Sequence, residues 1–307
     1  MTISEALSFP NRVTIEVTNR CNIHCGFCPR NLFDMKQGDM DEELFCKIID
    51  ECSKHLPVCG VLFFRGEPLI FSKLVKYIKY AKKKGLAPIQ IASNGLALDE
   101  GLADELLDCG LDFISFSMDT TNNEVYSRFR RNSNLDKATK NVIKFINKAE
   151  ARKIMGLPVP EIQVSSVDIV EYQPYKQEFI DFWTKHSDRV RIYLESCSDG
   201  NFGSIEDKNI LSFSNRMPCR KVFTDMIIYY NGDTALCNHD WNNNLGLGNV
   251  TLQSIFEIWN SEKYIKLREY HKNPNGFDSG IICDTCDQWK IDYADGKLLG
   301  ELYYKER

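Results

Sequence analysis

The sequence lacks any long apolar run, any excess of positive charge and any secretion-like start. No stretch approaches the roughly eighteen consecutive apolar residues that a membrane-spanning helix needs. The formal net charge of −5 gives no electrostatic reason to expect nucleic-acid or anionic-membrane binding. Residues 1–6 contain no basic segment followed by apolar residues, so we expect no signal peptide and a cytoplasmic location.

Cysteine, by contrast, is abundant, with 12 among 307 residues. In a chain expected to stay in a reducing compartment, this many thiols indicates metal ligation rather than disulfide bonds. The hydrophobic content of 43%, with 11% aromatic residues, is sufficient for a substantial core. The length predicts one large or two medium-sized domains.

Three of these cysteines, Cys21, Cys25 and Cys28, directly follow a strand-like alternation of apolar and polar residues at 13–18. Thiolates are the usual ligands of iron–sulfur clusters, and three of them hold three corners of a 4Fe–4S cube. The fourth iron then stays open, which is typical of a catalytic site. The alternative is a zinc loop, for which His24 is the nearest fourth ligand, although it lies within the same loop.

Strand and helix patterns alternate through the first two thirds of the chain, which predicts an α/β fold with a parallel β/α array. Six such units are too few for a closed eightfold barrel, and their functional groups are expected at the carboxyl ends of the strands. The predicted strands cover residues 13–18, 61–64, 89–93, 111–119, 161–167 and 190–194, and the predicted helices cover 41–54, 74–84, 99–108, 135–149 and 175–186.

The spacing of Cys21, Cys25 and Cys28, with Phe27 before the last cysteine, is similar to the signature of the radical S-adenosylmethionine (SAM) superfamily. The resemblance implies a partial (β/α)6 barrel whose open iron binds the methionine part of SAM, with Phe27 near the adenine. It also implies that reduction, by a donor such as flavodoxin or ferredoxin, cleaves SAM to a 5′-deoxyadenosyl radical that abstracts a substrate hydrogen.

The segment Arg65-Gly66-Glu67-Pro68, at the end of the second predicted strand, resembles the family's Gly-Gly-Glu-Pro motif. In the family the glycine admits backbone close to the methionine, and the neighbourhood of the glutamate receives the amino group of SAM. Arg65 departs from the motif, which puts the local geometry in question. The alternative is an ordinary turn between a strand and a helix.

Later strand ends supply the remaining residues that the resemblance places around SAM. A serine and a following arginine hold the SAM carboxylate in relatives, and a guanidinium suits this task because it can bind a carboxylate through two hydrogen bonds. Ser117 with Arg130 is the favoured pair and Arg128 is the alternative, while an exposed basic surface would equally explain any of the arginines. The full set is Ser93, Asn94, Ser117, Asp119, Arg128, Arg130 and Ser165.

The pattern changes near residue 206, which predicts a core at 1–205 and a smaller domain at 206–307. Asn231-Gly232 between apolar runs predicts a hairpin, and a helix is predicted over 252–268. Four cysteines occur here, and their spacing alone also allows a structural zinc site. They are Cys219, Cys237, Cys283 and Cys286.

The order of these elements resembles the auxiliary-cluster domains called SPASM and twitch, including a glycine five residues before Cys237. The resemblance implies a second 4Fe–4S cube, fully ligated by the four cysteines. The further cysteines of the full SPASM pattern are missing after Cys286, so the match is to the shorter twitch form. Within the superfamily this layout is similar to the dehydrogenases that oxidise an aminocyclitol in butirosin biosynthesis.

The rim of the predicted array offers candidate catalytic residues after the sixth strand. Cys197 is a candidate hydrogen-atom donor, and Glu195, Asp199 or Arg191 are candidates for the proton of a substrate hydroxyl. The other cysteines, Cys46, Cys52, Cys59 and Cys109, are most simply small buried hydrophobic residues.

Three functions follow as hypotheses. The first is a radical SAM oxidoreductase that acts on a small polar substrate, a sugar or aminocyclitol alcohol, and passes an electron to the auxiliary cluster. The second is an epimerase or peptide-modifying enzyme that uses Cys197 as donor. The third is a non-catalytic iron–sulfur or zinc protein. Because the first strand begins near residue 12, we expect no N-terminal peptide-leader domain, which favours small molecules.

Overall fold

The computed structural model describes residues 6–196, 200–202, 212–213, 215–273 and 280–305. Its β-strands are β1 (Arg12–Ile15), β2 (His24–Cys25), β3 (Cys59–Val61), β4 (Ile89–Ser93), β5 (Phe113–Ser117), β6 (Arg130–Arg131), β7 (Glu161–Asp168), β8 (Arg189–Leu194), β9 (Asp225–Ile228), β10 (Asp233–Ala235), β11 (Gly248–Asn249) and β12 (Glu301–Tyr304). Its α-helices are α1 (Glu42–Cys52), α2 (Leu74–Lys83), α3 (Glu100–Leu107), α4 (Asn123–Phe129), α5 (Leu135–Ile154), α6 (Lys176–Thr184), α7 (Lys221–Thr224), α8 (Ile255–Trp259) and α9 (Glu262–Lys272).

The six predicted strands form the centre of one sheet, in the order β1-β3-β4-β5-β7-β8, and all five pairings between them are parallel. Parallel strands require crossover connections, and α1, α2, α3, α5 and α6 supply them. The predicted six-unit array is therefore confirmed. The sheet ends at β11 on one side and β12 on the other, so the described strands do not close into a barrel.

The crossover helices pack their apolar faces onto this sheet. Helix α1 begins where the Asp41 carboxylate accepts a hydrogen bond from the backbone N–H of Glu43 at 2.8 Å, a typical N-cap. Its Phe45 is fully buried and stacks on Tyr77 of α2 with 4.0 Å between ring centroids. Truncating such a buried aromatic side chain costs about 3–5 kcal/mol.

The C-terminal part extends the same sheet at both edges. The predicted hairpin is confirmed as β9 and β10, and β9 lies parallel to β1 with Val13 opposite Met226. At the other edge, β12 pairs antiparallel to β8. The boundary predicted at residues 205 and 206 lies outside the described residues. No helix in the described ranges is both long enough and apolar enough to cross a bilayer.

Helix α1 also forms hydrogen bonds with the C-terminal part of the chain. Lys47 Nζ donates to the Val250 carbonyl oxygen at 2.5 Å, and the Glu51 carboxylate accepts the backbone N–H groups of Ile255 and Phe256, both at 2.8 Å. These two N–H groups belong to the first turn of α8 and have no partner within that helix. A carboxylate from the core therefore caps a C-terminal helix.

The single helix predicted over 252–268 is wrong, because the chain forms α8 and α9 instead. Ser254 caps α8 through a reciprocal pair of hydrogen bonds with Glu257, and Ser261 caps α9. Asn260 ends α8, and the next residue, Ser261, already has the N-cap conformation that starts α9. The periodicity of Ile255, Ile258 and Trp259 continued smoothly enough to hide this break.

Candidate active site

The loop of residues 21–28, here called the cysteine loop, is held by a two-stranded sheet. Cys25 in β2 lies opposite Arg130 in β6, and the Gly26 N–H donates to the Phe129 carbonyl oxygen at 2.7 Å. The loop then turns back on itself, since the Cys28 N–H donates to the Cys25 carbonyl oxygen at 3.1 Å. Sequence reasoning missed this pairing because each strand has only two residues.

The three thiols of the cysteine loop are partly buried and close enough to influence one another electrostatically. Burial raises the pKa of Cys25 to about 12, against which the Arg130 guanidinium acts to lower it. Metal coordination removes such protons outright. No group of three or more His, Cys, Asp or Glu side chains in the described ranges is arranged to hold a metal ion. In a 4Fe–4S cube the three thiolates would each bind a different iron.

Gly66, beside the cysteine loop, occupies a position that only glycine fits. A Cβ atom there would lie 2.3 Å from the Thr18 carbonyl oxygen and 2.7 Å from that of Arg20. The Arg20 oxygen also accepts the N–H of Glu67 at 2.8 Å, so a hydrogen bond ties the two backbone segments together. The strand end after β3 therefore lies in direct backbone contact with residues 18–20, which immediately precede the cysteine loop.

Glu67 is buried, and its carboxylate ties neighbouring strand ends together. It accepts the backbone N–H of Leu69 at 2.9 Å and that of Asn94 at 2.8 Å, and Pro68 begins the short helical turn that Glu67 caps. Burial raises the pKa of Glu67, although these hydrogen bonds oppose the shift. In this structure the Glu67 carboxylate binds backbone N–H groups of two strand ends, and its role toward SAM stays a prediction.

Ser93 and Asn94 at the end of β4 link this arrangement back to the cysteine loop. The Asn94 side chain donates to Asn22 Oδ1 at 2.8 Å, within the cysteine loop. The Ser93 hydroxyl accepts the N–H of Gly95 at 2.9 Å and so fixes the turn after the strand. Both predicted residues are buried and lie beside the cysteines.

Asp119 and Arg130 form a buried ion pair at the same end of the sheet, with 2.5 Å between Oδ2 and Nε. Asp119 has a φ of 60°, a left-handed conformation that places its carboxylate after the strand turn. Burial acts to lower the pKa of Arg130, but Asp119 and Cys25 raise it further, so the residue stays charged. The guanidinium carbon of Arg130 lies 5.8 Å from the centre of the Phe27 ring.

The other predicted SAM residues divide between this cluster and the surface. Ser117 and Ser165 are register partners across β5 and β7, and the Ser165 carbonyl oxygen accepts the N–H of Asp119 at 3.1 Å. Arg128 is exposed on α4, with its guanidinium carbon 5.3 Å from the centre of the Phe129 ring. The structure thus brings Arg130 to the cysteine loop, whereas Arg128 lies at the surface.

A cavity of about 700 Å³, here called the large pocket, opens beside the cysteine loop. Phe27 contributes from that loop, Arg191 and Glu195 from β8 and its end, and Trp241 from the C-terminal part. The guanidinium of Arg191 donates to the Leu299 carbonyl oxygen. The predicted residues Cys197 and Asp199 lie outside the described residues. Pockets of this size and mixed lining hold small organic ligands in other proteins.

The second set of thiols, here called the auxiliary cysteines, lines one enclosed cavity. The described residues of this lining include no aspartate or glutamate. Burial raises the pKa of Cys219 to about 12 and that of Cys286 to about 11, and it raises the pKa of Cys283 beyond that of either. Four thiols around one space, two of them buried and two half-buried, fit a fully ligated cluster, because coordination removes protons that burial otherwise retains. The four lining cysteines are Cys219, Cys237, Cys283 and Cys286.

His239 and Gln288 line both the large pocket and the auxiliary cavity. The His239 N–H donates to Cys237 Sγ and the Gln288 N–H donates to Cys286 Sγ, both at 3.4 Å. Sequence reasoning missed these two residues. The available signal was their position two residues after a cysteine of the auxiliary set, where backbone N–H groups commonly reach a ligand sulfur.

Two family models match the chain. One, described as the radical SAM superfamily, matches residues 15–162, and the other, an iron–sulfur cluster-binding domain of SPASM type, matches residues 219–287. The first match contains the cysteine loop and the second contains all four auxiliary cysteines. Together they confirm the predicted resemblance.

Similar proteins extend over most of the chain. The tungsten-containing aldehyde ferredoxin oxidoreductase cofactor-modifying protein of Pyrococcus furiosus is 26% identical and aligns over 89% of this chain and 88% of its own. A probable GTP 3′,8-cyclase of Methanothermobacter marburgensis is 30% identical over 71% of this chain and 72% of its own. The crystal structure of BtrN in complex with AdoMet and 2-DOIA has the same fold, with a TM-score of 0.62, 17% identity and coverage of 92% and 94%.

These comparisons and the geometry agree on the class of protein. The α/β fold with an open parallel sheet and a C-terminal cluster domain is confirmed. The predicted cofactors, SAM with 4Fe–4S clusters, are confirmed as well, and the two sets of cysteines are the residues that would hold the clusters. The roles of individual residues toward SAM and substrate remain predictions.

Proposed function

The chain belongs to the radical SAM superfamily, and we propose that it oxidises a small polar substrate, a sugar-like or aminocyclitol-like alcohol, in the large pocket. The observation that carries this proposal is the shared wall formed by His239 and Gln288. A substrate in the large pocket would contact residues that also line the cavity of the auxiliary cysteines. Such proximity is what removal of an electron from the substrate requires.

The chemistry divides between the bound groups and the protein. When bound, the first cluster with SAM supplies the radical that removes a hydrogen atom from the carbon bearing the hydroxyl, and the auxiliary cluster supplies the acceptor for one electron. The hydroxyl proton is the remaining product. Glu195 lines the pocket at the end of β8, and we assign it the task of accepting that proton. The substrate loses two hydrogens in total and becomes a carbonyl compound.

The other pocket residues orient the substrate. Arg191 lies with its guanidinium carbon 5.4 Å from the centre of the Tyr193 ring, and both side chains line the pocket. A fixed cation beside an aromatic face suits a ligand that combines hydroxyl groups with an apolar ring face. Trp241, from the C-terminal part of the chain, contributes a second aromatic side chain to the pocket lining.

The charge of the pocket separates candidate substrates. Among its described lining residues Arg191 is the only arginine or lysine. A nucleoside triphosphate carries several negative charges and is normally bound by several cationic or backbone donors. We therefore favour a neutral or singly charged substrate over GTP, despite the similarity to probable GTP 3′,8-cyclases. The BtrN complex with 2-DOIA supports a small ligand on this fold.

The test uses anaerobically reconstituted protein with SAM, dithionite and a panel that contains 2-DOIA, free sugars and sugar nucleotides. We expect a product two mass units lighter than one panel member, formed together with 5′-deoxyadenosine. Glu195→Gln is expected to slow product formation and leave SAM binding unchanged. GTP consumption with no oxidation of any alcohol would refute the proposal.

A second candidate, modification of a peptide centre, is favoured by one observation. About half of the described pocket lining is apolar, including Leu32, Leu194 and Leu298, which also suits a peptide side chain. An epimerisation would return a hydrogen atom, for which Cys197 is the predicted donor. The product would then keep its mass in ordinary water and gain one deuterium in heavy water, and Cys197→Ala would abolish it.

A further inference from the structure

Arg65 is the residue that departs from the glycine of the family motif, and its side chain is 8% exposed. Its guanidinium makes two hydrogen bonds to Glu16, with Nε to Oε2 at 2.6 Å and Nη2 to Oε1 at 2.8 Å. Glu16 follows β1 and is fully buried. Paired contacts of this kind fix the guanidinium plane as well as its position.

A third hydrogen bond from the same guanidinium leaves the core. Arg65 Nη1 donates to the Trp241 carbonyl oxygen at 2.9 Å. Its guanidinium carbon also lies 3.6 Å from the centre of the Tyr229 ring, and the Tyr229 hydroxyl donates to the Asp240 carbonyl oxygen. Two adjacent carbonyl groups of one loop are therefore held, directly or through Tyr229, by Arg65.

That loop runs from the auxiliary cysteine to the wall of the large pocket. The Trp241 N–H donates to the His239 carbonyl oxygen at 3.0 Å, and the His239 N–H donates to Cys237 Sγ at 3.4 Å. A chain of three hydrogen bonds thus connects Arg65 with a ligand of the auxiliary set. The next residue after Arg65 is Gly66, whose backbone lies against residues 18–20, immediately before the cysteine loop.

We propose that Arg65 is a positioning residue that fixes the loop of residues 237–241, and with it His239 and Trp241, relative to the SAM-binding strand end. A stabilising ion pair would need Glu16 alone. The hydrogen bond to the Trp241 carbonyl oxygen and the stacking on Tyr229 add nothing to that ion pair. They instead set the position of the pocket wall and of the hydrogen bond from the His239 N–H to Cys237 Sγ. Hydrogen bonds to ligand sulfurs are one of the factors that set a cluster's reduction potential.

The experiment compares Arg65→Lys with wild type in the reconstituted holoprotein. Lysine keeps a positive charge for Glu16 but cannot make the planar set of three bonds. Redox titration followed by electron paramagnetic resonance reads each cluster separately. We expect the midpoint potential of the auxiliary cluster to shift, while the potential of the first cluster and its spectral response to added SAM stay as in wild type.

Tryptophan fluorescence gives a second readout. Trp183, Trp259 and Trp289 are 1%, 0% and 4% exposed, so quenching by acrylamide reports mainly on the half-buried Trp241. We expect stronger quenching in Arg65→Lys, because the loop that carries Trp241 loses its anchor. Trp241→Phe is expected to remove the difference between the two proteins.

Arg189→Lys is the matched control. Arg189 also combines an ion pair, 3.0 Å to Glu161, with a ring contact, 4.8 Å from the centre of Phe113, but it lies at the start of β8. In Arg189→Lys neither the midpoint potential of either cluster nor the tryptophan quenching is expected to change.

If Arg65→Lys does not fold, the neutral double variant Glu16→Gln/Arg65→Gln is measured with the same expected result. Equal shifts of both clusters, or no shift of either, would overturn the proposal.

Discussion

The two sets of cysteines differ in how the chain assembles them. The cysteine loop takes its three thiols from residues 21–28, held by a pair of two-residue strands. The auxiliary cysteines are collected from residues 219–286 and surround an enclosed cavity. A local loop with three thiols leaves one iron of a cube free for a ligand, whereas four thiols from distant segments complete the cube. The set with one open cluster position is thus assembled from a single loop, and the fully ligating set is assembled by the tertiary fold.

Their electrostatic surroundings differ as well. A buried cation, Arg130, lies beside Cys25 and acts to lower its pKa. Around Cys283 the thiols Cys237, Cys219 and Cys286 each act to raise its pKa, after burial itself. The cation of the first set is held by a buried carboxylate, Asp119. The second set has two cations, Arg216 and Lys221, that act to lower the pKa values of its thiols, and no carboxylate among the described residues of its cavity lining. Variants of the two sets are therefore expected to fail in different ways.

The largest expected effect is complete loss of SAM cleavage in Cys25→Ala. With two thiols left in the cysteine loop, the cluster that binds SAM is not held. Wild type should contain about eight irons per chain, in two cubes of four, and this variant about four. Iron analysis and 5′-deoxyadenosine assay measure both quantities. Cys46→Ala, a half-buried cysteine of α1 outside both sets, should match wild type.

The converse variant, Cys283→Ala with Cys286→Ala, is expected to halve the iron and spare SAM cleavage. Product formation should be lost, because the substrate radical has no electron acceptor. Zinc bound in place of the second cluster in the wild-type protein would contradict the assignment of the auxiliary cysteines. The distinction between the two sets would also fail if this variant lost SAM cleavage entirely.

Arg130→Gln is expected to weaken SAM binding and to destabilise the protein. It leaves Asp119 buried without its partner, a change that typically costs about 3–5 kcal/mol. Asp119→Asn/Arg130→Gln removes the unpaired charge, so its SAM affinity separates binding from folding. Arg128→Gln on the exposed face of α4 is the control. Unchanged affinity in the double variant would transfer the predicted carboxylate contact to Arg128.

Gly66→Ala is expected to have a smaller effect than the loss of any cluster ligand. A methyl group there would lie 2.3 Å from the Thr18 carbonyl oxygen, so the strand end must move away from the cysteine loop. Overpacking of this kind costs roughly 1–3 kcal/mol in chemical denaturation and should also weaken SAM binding. Gly101→Ala in α3, where the nearest neighbour is an ordinary 3.6 Å away, should instead stabilise by about 0.5–1 kcal/mol.

The parts of the fold that local pattern determines were predictable from the sequence. The strands β4 and β8 and the hairpin around Gly232 follow from alternation and turn chemistry, and the thiols of the cysteine loop from their spacing. The parallel pairing of β9 with β1 was missed, since no local pattern encodes contact across two hundred residues. For the same reason Glu16, in a polar position of the first strand pattern, is in fact fully buried.

The candidate site shows the same division. The strand-end residues Glu67 and Asn94 were identified by motif, but their mutual hydrogen bond was not. His239 and Gln288 were missed because their importance lies in their position between the large pocket and the auxiliary cavity. Both cavities form only when distant segments of the chain come together. The departure at Arg65 was visible in the sequence, yet its meaning depends on partners at Glu16 and Trp241.

The position of β9 in the sheet has a consequence for synthesis on the ribosome. Strand β1 is translated long before its neighbour on one side, which is residues 225–228. Until those residues emerge, the nascent core presents an unpaired strand edge whose residues Val13 and Ile15 are fully buried in the finished protein. Exposed edges of this kind favour association between chains. The cysteine loop and its partner strand β6, in contrast, are complete in the chain long before the last auxiliary cysteine is added.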